Sequence, residues 1–414
     1  MKHISTLWLA AAAATVGLSG LPAAAQPPAP QVHLPPGEGK ALVEGVCVAC
    51  HQLNLITGST GYTEAGWRRL VGQMIALPEP TLGTVARYLA EHFPETTERR
   101  PTLVAGPVTV EFEEWTPPTL GQRPRDPLQL ADGTIWWAGM YASLLGRLDP
   151  QTGEMREYRL APDARPHGIA ADADGGIWYT GNGNGTVGRL DPATGAIDVY
   201  PMPDPAARDP HTPIVARDGI LWFTLQQSNM LGRLDPQTGA IELHRMPTER
   251  ARPYGLKEDS SGKLWISYMG SNKIAEVDPA TRAIREHVIP TPETRIRRLA
   301  IASDGIVWFV DSARGQLGRL DPRTGEVRSW PSPSGPQSHP YAIEIVDDVI
   351  WYNESGQRPD ALVRFDPKTE RFQSWAIPSG VGIIRHMNRT PDGNLVIHQS
   401  STNTIGLVRL GHGT

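Results

Sequence analysis

The chain has two cysteines among 414 residues. At most one disulfide is available, so a fold of this length has to be held by its apolar core rather than by cross-links. An excess of charge of one sign is missing as well. There are 39 Lys and Arg against 44 Asp and Glu, and no basic stripe carries interleaved aromatics, which argues against nucleic acid and anionic membrane as partners.

The one sustained apolar run, from Leu7 to Leu18, is broken by Gly17, Ser19, Gly20 and Pro22, too early for a span of about 20 residues. It follows Lys2 and His3 and leads to Ala23-x-Ala25 before Gln26. That is the layout of a signal peptide cut after residue 25. The expected location is the periplasm or another exported space, without a membrane span in the mature chain.

Both cysteines fall in Cys47-x-x-Cys50-His51. This is the attachment pattern of haem c: two thiols add to the vinyl groups of one porphyrin, and the adjacent imidazole reaches the iron. A thioredoxin-like pair would need a βαβ setting that the flanks do not supply, and a structural disulfide would leave His51 unexplained. Methionine is a common second axial ligand. Met74 is the methionine between His51 and the end of this unit, and it shares a helical face with Trp67, Leu70 and Val71. A plain core methionine would show the same spacing, and His92 or an open position are the alternatives. A second periodic segment, residues 82–93, ends at Pro94. With an opening helix at 41–46, residues 26–95 read as a small all-α domain around a flat apolar cofactor. The stretch resembles the small cytochrome c modules fused to exported enzymes, over about 60 residues.

Residues 96–106 are polar and contain proline, and they read as a linker that permits either a docked or a mobile module. Beyond it the sequence repeats itself. Trp136, Trp178, Trp222, Trp265, Trp308 and Trp351 recur about every 43 residues, each followed by an Asp-Pro turn. Short β-type segments at that period point to propeller blades. In one repeat, four strands are expected near residues 168–171, 176–180, 186–190 and 196–200. A seventh unit has Val396 in place of tryptophan and stops after its third strand. The segment 106–118 matches an outer strand and would complete it, leaving no open edge. The fold class is therefore mainly β: a seven-bladed propeller over residues 107–414, preceded by the helical cytochrome-like domain.

In such a ring, the loops into the first strand and those joining the second to the third share one face, and first strands lie nearest the axis. Matched positions give a region near Asp126, then His167, His211, Tyr254, Arg297, Tyr341 and Arg385. A second set, Gly181, Leu225 with Gln226, Tyr268, Asp311, Glu354 and Gln399, should surround the same pocket. Polar residues at a propeller mouth are often only hydrated; two histidines at equivalent places in adjacent blades carry more information.

The repeats "IWYTGNGNGTVGRLDPATGAIDVY" and "LWFTLQQSNMLGRLDPQTGAIELH", with "RPHGIA" and "DPHTPI" before them, resemble virginiamycin B lyase and its streptogramin-lyase relatives. The resemblance implies a seven-bladed propeller that opens a cyclic depsipeptide by elimination, with magnesium and a histidine base. Carried over, the first histidine falls on His167, the base on His211, one glutamate on Asp209 and the other on Gln226. The last position exchanges a carboxylate for an amide.

Three functions follow as expectations. The first is an electron-transfer protein whose haem c serves a propeller that binds a small-molecule substrate or a redox partner protein. A cysteine-derived quinone is excluded, because both thiols are spent, and no pyrroloquinoline quinone signature is present. His167, His211, His339, His386 and His398 could instead hold copper or a second haem. The second is a carbon–oxygen lyase in which His211 takes a proton beside a carbonyl that magnesium or another metal polarises. The third is a non-catalytic propeller that docks a partner to the cytochrome.

Overall fold

The computed structural model describes residues 33–49, 53–59, 61–96, 99–380 and 382–411. The signal-peptide segment, Cys50 and His51 lie outside the described residues. Among the described residues no helix is long and apolar enough to cross a membrane.

Seven four-stranded antiparallel sheets form the propeller. Blades 1 to 6 occupy residues 124–159, 166–201, 210–245, 253–288, 296–331 and 340–376. Blade 7 takes three strands from residues 388–410 and its outermost strand from Val110–Trp115. That strand pairs with Thr404–Leu410 over six residues, Val110 opposite Leu410 through Trp115 opposite Ile405. The strands of blade 2, Pro166–Ala171, Ile177–Gly181, Thr186–Leu190 and Ile197–Pro201, lie within two residues of the spacing read from its sequence. Its outer turn is built as the composition requires: the Asp191 carboxylate accepts from Ala193 N at 2.8 Å and from the Thr194 hydroxyl at 2.8 Å, and Gly195 takes φ 76°.

Each tryptophan packs into the seam with the next blade. Trp178 of blade 2 meets Leu221 and Phe223 of blade 3, and Trp308 of blade 5 meets Ile343 and Tyr352 of blade 6. Where blade 7 has only Val396, blade 1 answers with a larger ring, for Trp137 and Ile135 fill that seam. Volume is conserved across the interface, as close packing demands. The second-strand aromatics lie flat over the third strand, which leaves no room for a side chain beneath them. A Cβ on Gly188 would sit 2.3 Å from the Tyr179 ring, and one on Gly146 2.0 Å from the Trp137 ring.

The N-terminal unit consists of α1 (Lys40–Val46), α2 (Asn54–Thr57), α3 (Glu64–Met74) and α4 (Glu79–His92), with a short 3-10 turn at Cys47–Ala49. Thr63 caps α3 by accepting from Gly66 N at 3.1 Å. Trp67, Leu70 and Val71 of α3 pack on Val85, Ala86 and Leu89 of α4, and Cys47 and Met74 lie against this one cluster.

The unit is docked. Gly121 N donates to Gln73 O at 2.9 Å, and a Cβ on Gly121 would come within 2.6 Å of Met74 O. The Tyr62 phenol lies beside the Arg358 side chain. The connecting segment follows the outer strand of blade 6: Val104 N donates to the Ser374 hydroxyl and Ser374 N to Val104 O, both at 2.9 Å. Of the two arrangements the linker composition permitted, this structure has the docked one.

Replacing Gly188 with alanine should cost about 1–3 kcal/mol through overpacking against Tyr179, read as a lowered urea midpoint with an unchanged slope. An unaltered midpoint would mean that the ring moves aside without cost.

Candidate functional site

Five of the innermost segments open with proline followed by a polar residue: Pro124-Arg125, Pro166-His167, Pro210-His211, Pro253-Tyr254 and Pro340-Tyr341. Ile296-Arg297 and Ile384-Arg385 hold the two remaining places. In each of the first six blades a register shift follows directly, for example between Pro210 and Pro213. A bulge breaks strict alternation and re-aims side chains, so two consecutive residues turn toward the axis, in two layers.

At blade 1 the region near Asp126 resolves into two layers. Arg125, not Asp126, stands in the ring with the two histidines, and Asp126 belongs to the layer beneath. There Arg298 crosses the axis, donating to Thr212 Oγ1 at 3.0 Å, to Arg385 O at 3.1 Å and to Asp126 at 3.3 Å. His386 Nδ1 lies 3.4 Å from the same carboxylate. Burial alone would raise the Asp126 pKa, but Arg298 and then His386 hold it well below the ordinary carboxylate value. One layer further, Lys257 and Glu344 pair across the axis at 2.7 Å. The axis is closed by ion pairs, and a cavity of about 220 Å³ lies above them.

Arg125, His167, His211, Arg297, Tyr341 and Arg385 dominate the lining. The imidazoles of His167 and His211 are 3.7 Å apart between centroids. Both are pushed well below the ordinary histidine pKa, first by burial, then by His211 and Arg125 for one and by Arg298 for the other. They are therefore neutral at pH 7. His211 Nδ1 is 3.0 Å from Thr212 Oγ1, which also accepts from Arg298 Nη1.

Tyr341 is 2% exposed. Its hydroxyl accepts from Arg297 and Arg385, each at 3.2 Å, and shares a short hydrogen bond with Tyr254. Both guanidiniums also stand over its ring, at 4.4 and 5.4 Å from the centroid. Burial would raise the phenol pKa, but Arg385, then Arg297 and the Tyr254 bond reverse the sign and bring it well below that of an ordinary phenol. Tyr254 shifts the other way, by burial and by the neighbouring Tyr341.

The second set of positions contributes differently from its spacing. Asn182, Gln226 and Met269 reach the cavity, each one residue beyond the second strand. The strand-end residues themselves serve the loops: Glu354 accepts from Ser332 and Ser334 N at 2.7 and 2.9 Å, Asp311 from Arg295 N at 3.0 Å, and the Tyr268 hydroxyl meets Glu286 at 3.1 Å. His398 Nε2 accepts from the backbone of Arg385 and His386 at 3.2 and 3.3 Å. Of the five propeller histidines named as candidate ligands, His167 and His211 alone form a pair in the cavity; His386 belongs to the lower layer, His398 supports the backbone, and the His339 ring lies 6.5 Å from Tyr341.

A sequence model of the virginiamycin B lyase family matches residues 107–344 and 253–413. The chain belongs to the virginiamycin B lyase family. Among solved structures, a streptogramin B lyase is 24% identical with a TM-score of 0.66, covering 73% of this chain and 98% of its own. A catalytically inactive virginiamycin B lyase from Staphylococcus aureus with quinupristin is 22% identical, TM-score 0.66, over 72% of this chain and 99% of its own. The hydrazine synthase of Kuenenia stuttgartiensis shares the fold at 15% identity, with a TM-score of 0.58 over 70% and 95% of the two chains. No curated protein sequence matches.

Magnesium, which the lyase resemblance implies, does not fit the residues present in this virginiamycin B lyase relative. It prefers carboxylate and other hard oxygens. Asp209, the one carboxylate of the lining, accepts from Gln227 N at 2.8 Å and from the Ser228 hydroxyl at 3.3 Å, and burial pushes it up to about 6. Gln226 offers an amide, and three guanidiniums oppose a cation. Among the described residues no three His, Cys, Asp or Glu side chains gather to hold a metal ion.

A spectroscopic pH titration should show one tyrosinate forming at lower pH than the other tyrosines, and Tyr341→Phe should abolish that step. The sign follows from the lowered folded value: the group adds stability above the pKa of an unfolded phenol and loses it as pH falls through its folded pKa.

Proposed function

We propose that this family member is an exported c-type cytochrome whose helical unit carries one covalent haem and whose propeller cavity receives a small-molecule substrate or part of a redox partner. The observation that carries the reading is the Cys-x-x-Cys-His element, supported by the packing of Cys47 and Met74 against one apolar cluster. Around the attachment segment Val48 is 51% and Leu55 62% exposed, apolar surface that a porphyrin would cover. The residues present fit haem c. Cys47 and Cys50 would hold it, with His51 and Met74 as iron ligands, and when bound it supplies a one-electron iron couple.

The chain's own residues link the two halves. The end of α3 bonds the loop that leads into Arg123 and Arg125, while Tyr62 reaches Arg358 in the loop between the second and third strands of blade 6. Both loops belong to the face on which the cavity opens. A ligand held by Arg125 and Tyr341 is thus on the same side of the ring as Met74. Tight docking through Gln73 and Gly121 fixes that relation and keeps the path between the two sites free of a mobile tether.

The metal-dependent lyase reading is favoured by family membership and by the position of His211. It is opposed by the guanidinium-rich lining and by the carboxylate of Asp209 already committed to its loop.

Protein matured with a haem-ligation system should gain the mass of one haem and show a reduced-minus-oxidised cytochrome spectrum. In Met74→Ala the methionine-to-iron charge-transfer band should vanish while the covalent mass remains. A bare polypeptide mass would overturn the reading.

A further inference from the structure

We propose that the axial cavity binds a small anion presenting two or more oxygens from one centre, a carboxylate or a tetrahedral oxyanion, held by Arg125, Arg297 and Arg385 with the Tyr341 hydroxyl. This deepens the assignment of the cavity as the substrate site and rests on it.

The argument begins with unmatched charge. Arg125, Arg297 and Arg385 line one cavity and come from blades 1, 5 and 7, so the ring itself forces them together. Burying a charge is costly unless it is paired. Asp126, the buried carboxylate nearest in sequence, is taken by Arg298 and His386 one layer down. Asp209 is taken by the Gln227 amide and Ser228. Among the residues lining the cavity no carboxylate is left to answer the three guanidiniums, and the Tyr341 hydroxyl accepts from only two of them.

The hydrogen bonds give the same result independently. Arg125 is 5% exposed, and its Nε has no partner among the described residues; Arg385 Nε and His167 Nδ1 are also unsatisfied. Arg297 Nη1 is directed at the Met269 thioether at 3.3 Å, and Gln226 Nε2 at the same sulfur at 3.6 Å. A thioether is a weak acceptor. Donors of this strength pointed at sulfur, or at nothing, mark the place of a better acceptor. Guanidinium forks match the paired oxygens of carboxylate and oxyanion groups.

The surrounding side chains agree with that occupant. Burial, then Arg385 and Arg123, press the Arg125 guanidinium down to about 9, the sign of a like-charge cluster that a guanidinium cannot relieve by losing its proton. An anion relieves it directly. The neutral pair His167 and His211 adds polar contacts without further charge, and the volume of about 220 Å³ holds a small head group while leaving the mouth for any longer tail.

Calorimetric titration of the haem-loaded full-length protein with sulfate, phosphate and succinate, at ionic strength held constant with chloride, tests this. Saturable one-site binding is expected for at least one of them. Succinate alone would identify a carboxylate ligand, and sulfate or phosphate alone a tetrahedral oxyanion; each supports the proposal. Affinity should fall about tenfold or more in Arg297→Gln and in Arg385→Gln, and stay unchanged in Arg156→Gln on the outer strand of blade 1. Should those variants fail to fold, the wild-type protein supplies a second readout. The binding anion should move the Tyr341 tyrosinate step to higher pH against Tyr254, Arg125, Arg297, Arg385 and His339 around it. Absence of saturable binding by all three anions, or binding untouched in both variants, overturns the proposal. A normal haem spectrum with no anion binding removes this inference alone; anion binding in a protein without haem removes the electron-transfer reading alone.

Discussion

Ring closure is the constraint on which the rest of this molecule depends. The six-residue ladder between Val110–Trp115 and Thr404–Leu410 joins residues nearly three hundred positions apart. It joins the two ends of a row of sheets into a closed cycle that leaves only the short outer edge of each blade. Only in a closed cycle do seven innermost strands face a common axis. The convergence of Arg125, Arg297 and Arg385 is thus a property of the topology, since these side chains have no relation to one another along the chain. Inter-blade packing of the tryptophans fixes the angle between neighbours, and the Arg298–Asp126 and Lys257–Glu344 pairs then lock the centre.

A cavity of this kind is built against the local energetic optimum. Clustered guanidiniums, two neutral imidazoles in contact and a phenol drawn toward its anion are individually unfavourable arrangements. They persist because the seams around them are closely packed and apolar. Departures from the locally consistent choice are expected where function resides, and here they are confined to one end of one axis. The opposite layers satisfy their charges internally.

Much of the architecture was legible in the sequence. The tryptophan period gave the blade count, Asp-Pro turns marked the outer hairpins, and Val396 with the missing fourth strand exposed the shared seventh blade. The core face of α3 was legible too, since Trp67, Leu70 and Val71 are buried where the 3.6 period puts them. The site was less so. At blade 1 the reading went no further than a region near Asp126, although the eleven-residue count that places His167 before Trp178 and His211 before Trp222 places Arg125 before Trp136; the prolines before Arg125, His167, His211, Tyr254 and Tyr341 carry the same register. The strand-end residues Glu354, Asp311 and Tyr268 looked like lining and instead hold loops, since period-two alternation stops where the strand does. Arg298 gave no local signal at all. Its partners lie in three other blades, and long-range pairing of that kind leaves no mark in a single sequence.

The course of the connecting segment matters for the outer margin of blade 6. At Ser374 the outer strand of blade 6 is covered by Val104, whose carbonyl takes the Ser374 N–H and whose own N–H donates to the Ser374 hydroxyl. An unpaired strand edge is a template for another chain. The tether that carries the helical unit therefore doubles as a selvedge, binding off one margin of the woven sheet where it would otherwise catch on its neighbours.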